Sequence, residues 1–343
     1  MIVTKREPLG IALVGAGYWG PNLIRNFASL DDCVVRWVCD KKPGRRQFIH
    51  ERFPEIPLTD DFDAVLADAR VDAVALATPV STHRDLALRA LAAGKHIFVE
   101  KPLADTTARA QEIADAGRAA QRVVAVGHIF VYNPAIARMR ELVHAGALGK
   151  LCYAESSRVN LGPPASEVNV IWDLAVHDLA ILLEVWQQKP LAVTAFGERY
   201  LHPRLIDAAF LHIHFDDGRM SQHHVSWLSP DKTRRFFVAG SHGSLHFDDT
   251  RTLDKLRYID RGQDSRIGLS DNENKELFYK PGEIKNVELS TAEPLRVECA
   301  HFLECIRTGN KPRAGAAEGV AVVQILEAAG VSIENNSARV TLP

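Results

Sequence analysis

The sequence predicts an α/β fold with two domains: a doubly wound parallel sheet, then an α+β domain built on antiparallel strands. From residue 9 to about residue 128, short apolar runs alternate with helical segments, which is the pattern of βαβ units. The motif G-x-G-x-x-G at residues 15–20 directly follows the first apolar run. Farther along, strand-like runs dominate and are separated by hairpin sequences such as Asp217-Gly218 and Ser241-His242-Gly243. We therefore expect domains over residues 1–128 and 129–343, with the last helices packed back on the first.

The individual elements follow from apolar periodicity and turn residues. In the first domain we predict strands at residues 11–14, 34–39, 73–77, 96–99 and 123–126, and helices at residues 21–29, 44–52, 61–68, 82–92 and 106–120. In the second domain we predict strands at residues 151–160, 191–200, 208–215, 219–227, 234–239 and 244–247, and helices at residues 134–145, 171–186, 294–308 and 317–335. The polar stretch 251–285 is predicted to be an extended hairpin or a lid.

The glycine motif predicts a dinucleotide site because each glycine has a separate task. Gly15 allows a tight turn after the strand, Gly17 lets the backbone approach a pyrophosphate, and Gly20 lets the helix pack on the strand. The helix that follows directs its unpaired N–H groups and positive dipole end at the phosphates.

Asp40 ends the next predicted strand, at the distance expected for an acid that binds the adenosine ribose hydroxyls. Its negative charge favours NAD over NADP because a 2′-phosphate would lie against it. Lys41, Arg45 and Arg46 follow directly and would soften that preference.

Composition restricts the class of protein. With 343 residues, 46% hydrophobic and 24% charged, the chain has the composition of a globular protein with sizeable cores. A net charge of −2 gives no basic field, so we expect no nucleic acid partner. We find neither a signal peptide nor an apolar segment approaching the ~20 residues of a membrane helix. Five cysteines without a C-x-x-C pair indicate reduced thiols and a cytoplasmic location.

Polar residues follow two of the predicted strands at the edge where open α/β sheets bind ligands. Thr78 and Pro79 lie in the loop after one strand, and the next residues, Thr82-His83-Arg84-Asp85, have the form of a capping box. Lys101 follows another strand, between Glu100 and Pro102. Pro102 restricts the backbone and so holds Lys101 in one pose. Lys101 is a candidate catalytic residue, although most lysines at a surface have no such role.

The helix at residues 171–186 combines apolar residues with one polar stripe. Asp173, His177 and Glu184 fall on that stripe by three-and-four spacing. A carboxylate one turn before an imidazole can orient the ring and raise its basicity. An alternative explains the same residues equally well: Asp173 is an acid near the N-terminus of the helix, and His177 is a histidine at an interface with satisfied hydrogen bonds.

Four histidines on neighbouring predicted strands, His212, His214, His223 and His224, suggest a metal site. Ligation requires converging neutral imidazoles, and neither a cysteine cluster nor H-E-x-x-H is present. We therefore favour histidines at a wet interface and expect no metal.

Three motifs taken together resemble the glucose–fructose oxidoreductase, inositol dehydrogenase and rhizopine catabolism (Gfo/Idh/MocA) family: GAGYWGPNL at residues 15–23, EKP at residues 100–102, and D-x-x-x-H at residues 173–177. The resemblance covers nearly the whole chain. It implies an N-terminal Rossmann domain and a C-terminal α+β domain whose large open-faced sheet forms a homodimer or homotetramer.

The resemblance also implies roles for individual residues. Lys101, Asp173 and His177 match the catalytic positions of the family. The expected cofactor-binding residues are Gly15, Gly17, Tyr18, Trp19, Gly20, Asp40, Lys41, Thr78, Pro79, His83, Glu100 and Lys101. The expected substrate-binding residues are Lys101, Arg158, Asn160, Asn169, Trp172, Asp173 and His177.

The segments 15–23 and 160–178 are most similar to a subgroup that acts on nucleotide sugars. This similarity implies NAD-dependent oxidation of the C3 hydroxyl of a UDP-linked N-acetylhexosamine, with UDP-N-acetylglucosamine favoured. The product would feed a 3-aminotransferase in polysaccharide or lipid A biosynthesis. The alternatives are an NADP-dependent 3-ketosugar reductase and a dehydrogenase of a free polyol such as inositol. A non-enzymatic sugar-sensing regulator is disfavoured because it need not keep Lys101, Asp173 and His177 together.

Overall fold

A computed structural model describes residues 7–161, 168–260 and 282–343. The chain divides into two compact units. The first comprises Met1–Tyr132 and Ala292–Gln324, and the second comprises Asn133–Thr291 and Ile325–Pro343. The last part of the chain therefore contributes to both units.

The first unit is a parallel six-stranded sheet in the order β3-β2-β1-β4-β5-β6, the strand order of a Rossmann fold. Its strands are β1 (Leu9–Val14), β2 (Cys33–Cys39), β3 (Leu58–Thr59), β4 (Ala73–Leu76), β5 (His96–Glu100) and β6 (Val124–Gly127). Its helices are α1 (Gly20–Ala28), α2 (Pro43–Arg52), α3 (Phe62–Ala67), α4 (His83–Ala92), α5 (Thr107–Ala119) and, in its later segment, α8 (Pro294–Thr308). The order reverses between β1 and β4, so the loops after these strands border the crevice where such sheets bind ligands.

Buried aromatic rings join α1, the sheet and α8 in the core of this unit. Phe27 and Phe98 meet edge to face with ring centroids 6.1 Å apart, and Phe302 of α8 lies 5.7 Å from Phe98. All three side chains are fully buried. This packing fixes the position of β5, at whose end Lys101 lies.

The second unit is built on a nine-stranded sheet in the order β14-β13-β12-β11-β7-β10-β9-β8-β15. Its strands are β7 (Leu151–Val159), β8 (Ala192–Glu198), β9 (Ala208–His214), β10 (Met220–Ser226), β11 (Thr233–Gly240), β12 (Gly243–Asp248), β13 (Leu256–Asp260), β14 (Ile284–Asn286) and β15 (Val340–Thr341). Its helices are α6 (Pro134–His144) and α7 (Val176–Trp186). Both hairpin predictions are confirmed, because β9 pairs antiparallel with β10 and β11 with β12.

The predicted fold class is confirmed, and the predicted strands and helices begin and end within two residues of those observed. Four features of the structure differ from the prediction or go beyond it. The short strands β3 and β15 were not predicted, since two residues carry too little pattern. β10 runs parallel to β7, a long-range pairing that local turns do not encode. β13 and β14 pair antiparallel, as the hairpin alternative for 251–285 expects, while residues 261–281 lie outside the described residues. The fourth feature is the predicted helix at residues 171–186, which has two parts, described below.

Two local predictions were wrong. α4 begins where expected, but the Thr82 hydroxyl hydrogen-bonds to the Pro79 carbonyl oxygen at 2.7 Å, so no capping box forms. The expectation that no apolar segment approaches the length of a membrane helix was also wrong. Among the described residues, one helix, α9 (Ala316–Glu334), is long and apolar enough to cross a membrane by length and composition. Its side chains at Val323, Ile325 and Leu326 are fully buried, which is typical of a core helix.

Candidate functional site

In the first unit, the glycine turn has the geometry of a phosphate cradle. Gly15 has a φ of +96°, and a β-carbon there would lie 2.4 Å from the Ala77 carbonyl oxygen. A β-carbon on Gly20 would lie 2.4 Å from the Gly15 carbonyl oxygen, so only glycine lets α1 approach this turn. A β-carbon on Gly17 would have no neighbour within 4 Å, which leaves room for a ligand over the backbone. These positions fit a dinucleotide pyrophosphate.

The Asp40 carboxylate is held beside this turn by two backbone amides. Its Oδ2 accepts a hydrogen bond from the Ala16 N–H at 2.7 Å, and its Oδ1 accepts one from the Lys42 N–H at 2.8 Å. Each carboxylate oxygen has capacity for a further donor, as the ribose hydroxyls require. Arg46 donates to the Asp40 carbonyl oxygen at 2.6 Å and lies 3.3 Å from Asp60. The exposed cations at this point are Lys41, Lys42 and Arg45.

His83 joins the segments that follow two strands of the first unit. Its ring is 1% exposed, with Nδ1 2.9 Å from the Pro102 carbonyl oxygen and Nε2 2.9 Å from the Thr78 carbonyl oxygen. Burial lowers the pKa of the ring, and a neutral imidazole donates to only one of the two oxygens. These two contacts fix Thr78 relative to the segment that carries Lys101, and the expected cofactor contact of His83 stays a prediction. Pro79 is exposed on the same loop.

Lys101 lies among buried ionisable groups. Burial raises the pKa of Glu100 to about 7, against the opposing effect of the Lys101 charge. Burial and the Lys101 charge together lower the pKa of His128 to about 3, so this histidine is neutral. A β-carbon on Gly127 would lie 2.8 Å from the Glu100 carboxyl group, so a glycine is needed on β6. Neither Gly127 nor His128 was identified from the sequence, because their positions depend on the pairing of β5 with β6.

Tyr18 and Trp19 lie within the glycine turn but differ in exposure. Tyr18 is 90% exposed, whereas Trp19 is half-buried and packs against the core of this unit. Tyr18 is therefore accessible to a ligand, while part of Trp19 serves packing.

In the second unit, Asp173 lies in a π-helical turn, Ile171–Ala175, and His177 lies in the first turn of α7. The predicted uniform α-helix over 171–186 is thus wrong in its first turn. The Asn169 Oδ1 accepts hydrogen bonds from the N–H groups of Ile171 and Trp172 at 3.1 and 3.2 Å. The Asn169 side-chain oxygen therefore caps this turn, and its expected role in substrate binding stays a prediction. Trp172, Asp173 and His177 are half-buried.

Arg158, which was expected to contact a diphosphate, forms a buried ion pair with Asp178. Its guanidinium donates to both carboxylate oxygens of Asp178 at 2.7–3.1 Å, and the two side chains are 3% and 1% exposed. Asp178 directly follows His177 in the chain, so the pair fastens the start of α7 to β7. Asn160 remains half-buried just beyond the end of β7.

The sheet histidines do not converge. His223 is fully buried between the Ser156 and Ser221 hydroxyls at 2.8 and 2.9 Å, and burial lowers its pKa to about 4. His224, on the other face, stacks on Phe210 with centroids 4.4 Å apart. No group of three histidine, cysteine or acidic side chains is arranged to hold a metal ion among residues 7–161, 168–260 and 282–343.

The Rossmann strand order, the glycine cradle and the anchored Asp40 define an NAD-binding oxidoreductase. A family model described as "Oxidoreductase family, NAD-binding Rossmann fold" matches residues 9–128, and the GFO/IDH/MocA C-terminal domain model matches residues 136–246. The chain belongs to the Gfo/Idh/MocA family.

Three similar proteins match nearly the whole chain. The UDP-N-acetylglucosamine 3-dehydrogenase of Acidithiobacillus ferrooxidans is 28% identical over 92% of this chain and 94% of its own. The scyllo-inositol 2-dehydrogenase (NAD(+)) of Bacillus subtilis is 26% identical over 88% of this chain and 87% of its own. The crystal structure of GenD2 from gentamicin A biosynthesis, in complex with NAD, has a TM-score of 0.81 and 26% identity, with 98% of this chain and 97% of that chain covered.

Proposed function

We propose that this protein oxidises the C3 hydroxyl of a UDP-linked N-acetylhexosamine, with UDP-N-acetylglucosamine favoured, to the 3-keto sugar. The observation that carries the proposal is the similarity to a UDP-N-acetylglucosamine 3-dehydrogenase over nearly the full length of both chains. Lys101, at the ligand-binding edge of the first unit, and the Asp173–His177 pair in the second are the residues that the reaction would use.

In the proposed reaction, the sugar carbon loses a hydride and its hydroxyl loses a proton, giving the ketone, NADH and H⁺. NAD supplies the hydride acceptor. His177 accepts the hydroxyl proton, and the Asp173 carboxylate orients its ring. Lys101 donates a hydrogen bond to the reacting oxygen and stabilises its developing negative charge. In the converse assignment Lys101 is the base, and its own ionisation would then govern the pH dependence of turnover.

The test is the appearance of NADH with UDP-N-acetylglucosamine and NAD, with and without a coupled 3-aminotransferase and glutamate. Lys101→Ala and His177→Ala should each lower kcat at least ~100-fold while NAD still binds. His212→Ala, which changes a histidine on the sheet, should leave kcat unchanged. Near-normal turnover in both site variants would refute the mechanism.

A free polyol is the second candidate substrate. Arg158 and Asn169, which were expected to grip a nucleotide sugar, are engaged within their own unit, and a scyllo-inositol 2-dehydrogenase is similarly close in sequence. Turnover of inositol without turnover of UDP sugars would establish this alternative. Tight NADP binding together with inactivity on UDP sugars would instead indicate a ketosugar reductase.

The proposal includes a cytoplasmic homo-oligomer, dimer or tetramer, that passes its product to a 3-aminotransferase. The proposed interface is the open face of the nine-stranded sheet, where Tyr153, Phe196, Phe210 and Met220 are 41–50% exposed. Apolar side chains of this size on one sheet face favour burial against a second copy.

A further inference from the structure

Trp227, the residue directly after β10, contacts the Asp173 carboxylate. The indole N–H of Trp227 donates a hydrogen bond to Asp173 Oδ2 at 3.2 Å, although the two residues are far apart in sequence. Trp227 is 4% exposed, so its ring is embedded in the second unit and its N–H points at a half-buried carboxylate. An indole N–H is a donor only, and in a buried tryptophan it normally finds a partner.

Asp173 lies in a π-helical turn, where α-helical spacing alone does not fix the direction of its carboxylate. In an α-helix, residues four apart lie above one another, so spacing alone would place Asp173 beside His177. The turn Ile171–Ala175 is wider, with hydrogen bonds from residue i to i+5, so α-helical spacing does not by itself fix the angle between Asp173 and His177. The direction of the Asp173 carboxylate is therefore set partly by tertiary contacts, of which the Trp227 indole is one.

Trp227 is itself rigidly anchored. Its backbone N–H donates to the Asp207 carbonyl oxygen at 2.9 Å. The Asp207 carboxylate is buried and accepts hydrogen bonds from the backbone N–H groups of Tyr200, Leu201 and His202 at 2.7–3.1 Å. These bonds lower the pKa of Asp207 and keep it ionised, so the support behind Trp227 persists at neutral pH.

We propose that Trp227 is a positioning residue for the dehydrogenation: its indole N–H holds the Asp173 carboxylate in the orientation in which Asp173 directs the His177 ring. This inference rests on the proposed function, in which Asp173 and His177 act together. Trp227 itself touches neither substrate nor cofactor in this account.

The test is a double-mutant cycle on kcat in the full-length protein. Trp227→Phe keeps an aromatic ring and removes the N–H, and we expect kcat to fall about tenfold with the KM for NAD unchanged, which corresponds to about 1.4 kcal/mol. In an Asp173→Ala background the same substitution should have no further effect, because its route to the reaction has gone. Trp186→Phe is the matched control, since Trp186 is 6% exposed and its indole N–H has no partner in the described part of the chain.

A tenfold loss that is equally large with and without Asp173 would overturn the inference, because it would mean a purely structural role. Unchanged kcat in Trp227→Phe would overturn it as well. If Asp173→Ala keeps normal turnover, the proposed function itself fails, which is a distinguishable result. If Trp227→Phe does not fold, the contact is tested by NMR of the indole N–H groups in the folded Asp173→Ala variant. The Trp227 resonance should shift relative to the wild type, and the Trp186 resonance should not. An unchanged Trp227 resonance would refute the contact.

Discussion

Arg158→Met tests whether the Arg158–Asp178 pair holds the second unit together or Arg158 serves the substrate. The substitution keeps a side chain of similar length but leaves the Asp178 carboxylate, 1% exposed, without its guanidinium. Removing one partner of a buried ion pair costs about 3–5 kcal/mol, because the remaining charge is uncompensated. For a unit of this size each kcal/mol lowers Tm by about 2–4 °C, so we expect a fall of about 6–20 °C.

The assay is thermal unfolding followed by calorimetry, with KM for the substrate measured on the folded variant. Asp178→Leu should be destabilised to a similar extent. The double variant Arg158→Met with Asp178→Leu should recover most of the loss, since an apolar pair replaces a buried ion pair at little cost. Arg235→Met is the control: it breaks an exposed pair with Asp248, where the arginine side chain is 68% exposed, and should change Tm little. An Arg158→Met variant with unchanged Tm and a strongly raised KM would refute this reasoning and would indicate that Arg158 binds the substrate.

Three further predictions follow from single residues. Asp40→Ala should weaken NAD binding about tenfold to a hundredfold, because charge-assisted hydrogen bonds to the ribose are lost. It should also raise the use of NADP relative to NAD. An unchanged ratio of the kcat/KM values for the two cofactors would contradict the assigned role. Burial and the Glu100 charge raise the pKa of Glu298 well above 4.5, so the folded state keeps a proton that the unfolded state gives up as pH rises. Above about pH 4.5, the free energy of unfolding of the wild type should therefore decline relative to that of Glu298→Gln. The measurement is the Tm of both proteins as a function of pH, and a difference in Tm that does not change with pH would contradict the prediction. Phe210→Glu should dissociate the proposed oligomer in light scattering, whereas Leu253→Glu, exposed off the sheet, should not; an unchanged mass would exclude this face.

Much of the first unit could be predicted because its signals are local. The glycine turn and Asp40 are set by backbone sterics and by strand ends that lie close together in the chain, and both occupy the expected places. The position of Lys101 at the end of β5 follows from the same reasoning. His83 shows the limit of such reasoning, because its burial between two carbonyl oxygens could not be predicted from the sequence.

The fold class, the two kinds of sheet, the dinucleotide cradle and the candidate residues could all be predicted from the sequence. This was possible because apolar periodicity, glycine turns and strand ends act over short stretches of chain. Three contacts could be found only in the folded chain: the Arg158–Asp178 ion pair, the Asn169 cap and the Trp227–Asp173 hydrogen bond. Such partners are chosen by strand pairing and burial, which bring together residues whose separation along the chain carries no signal of their contact.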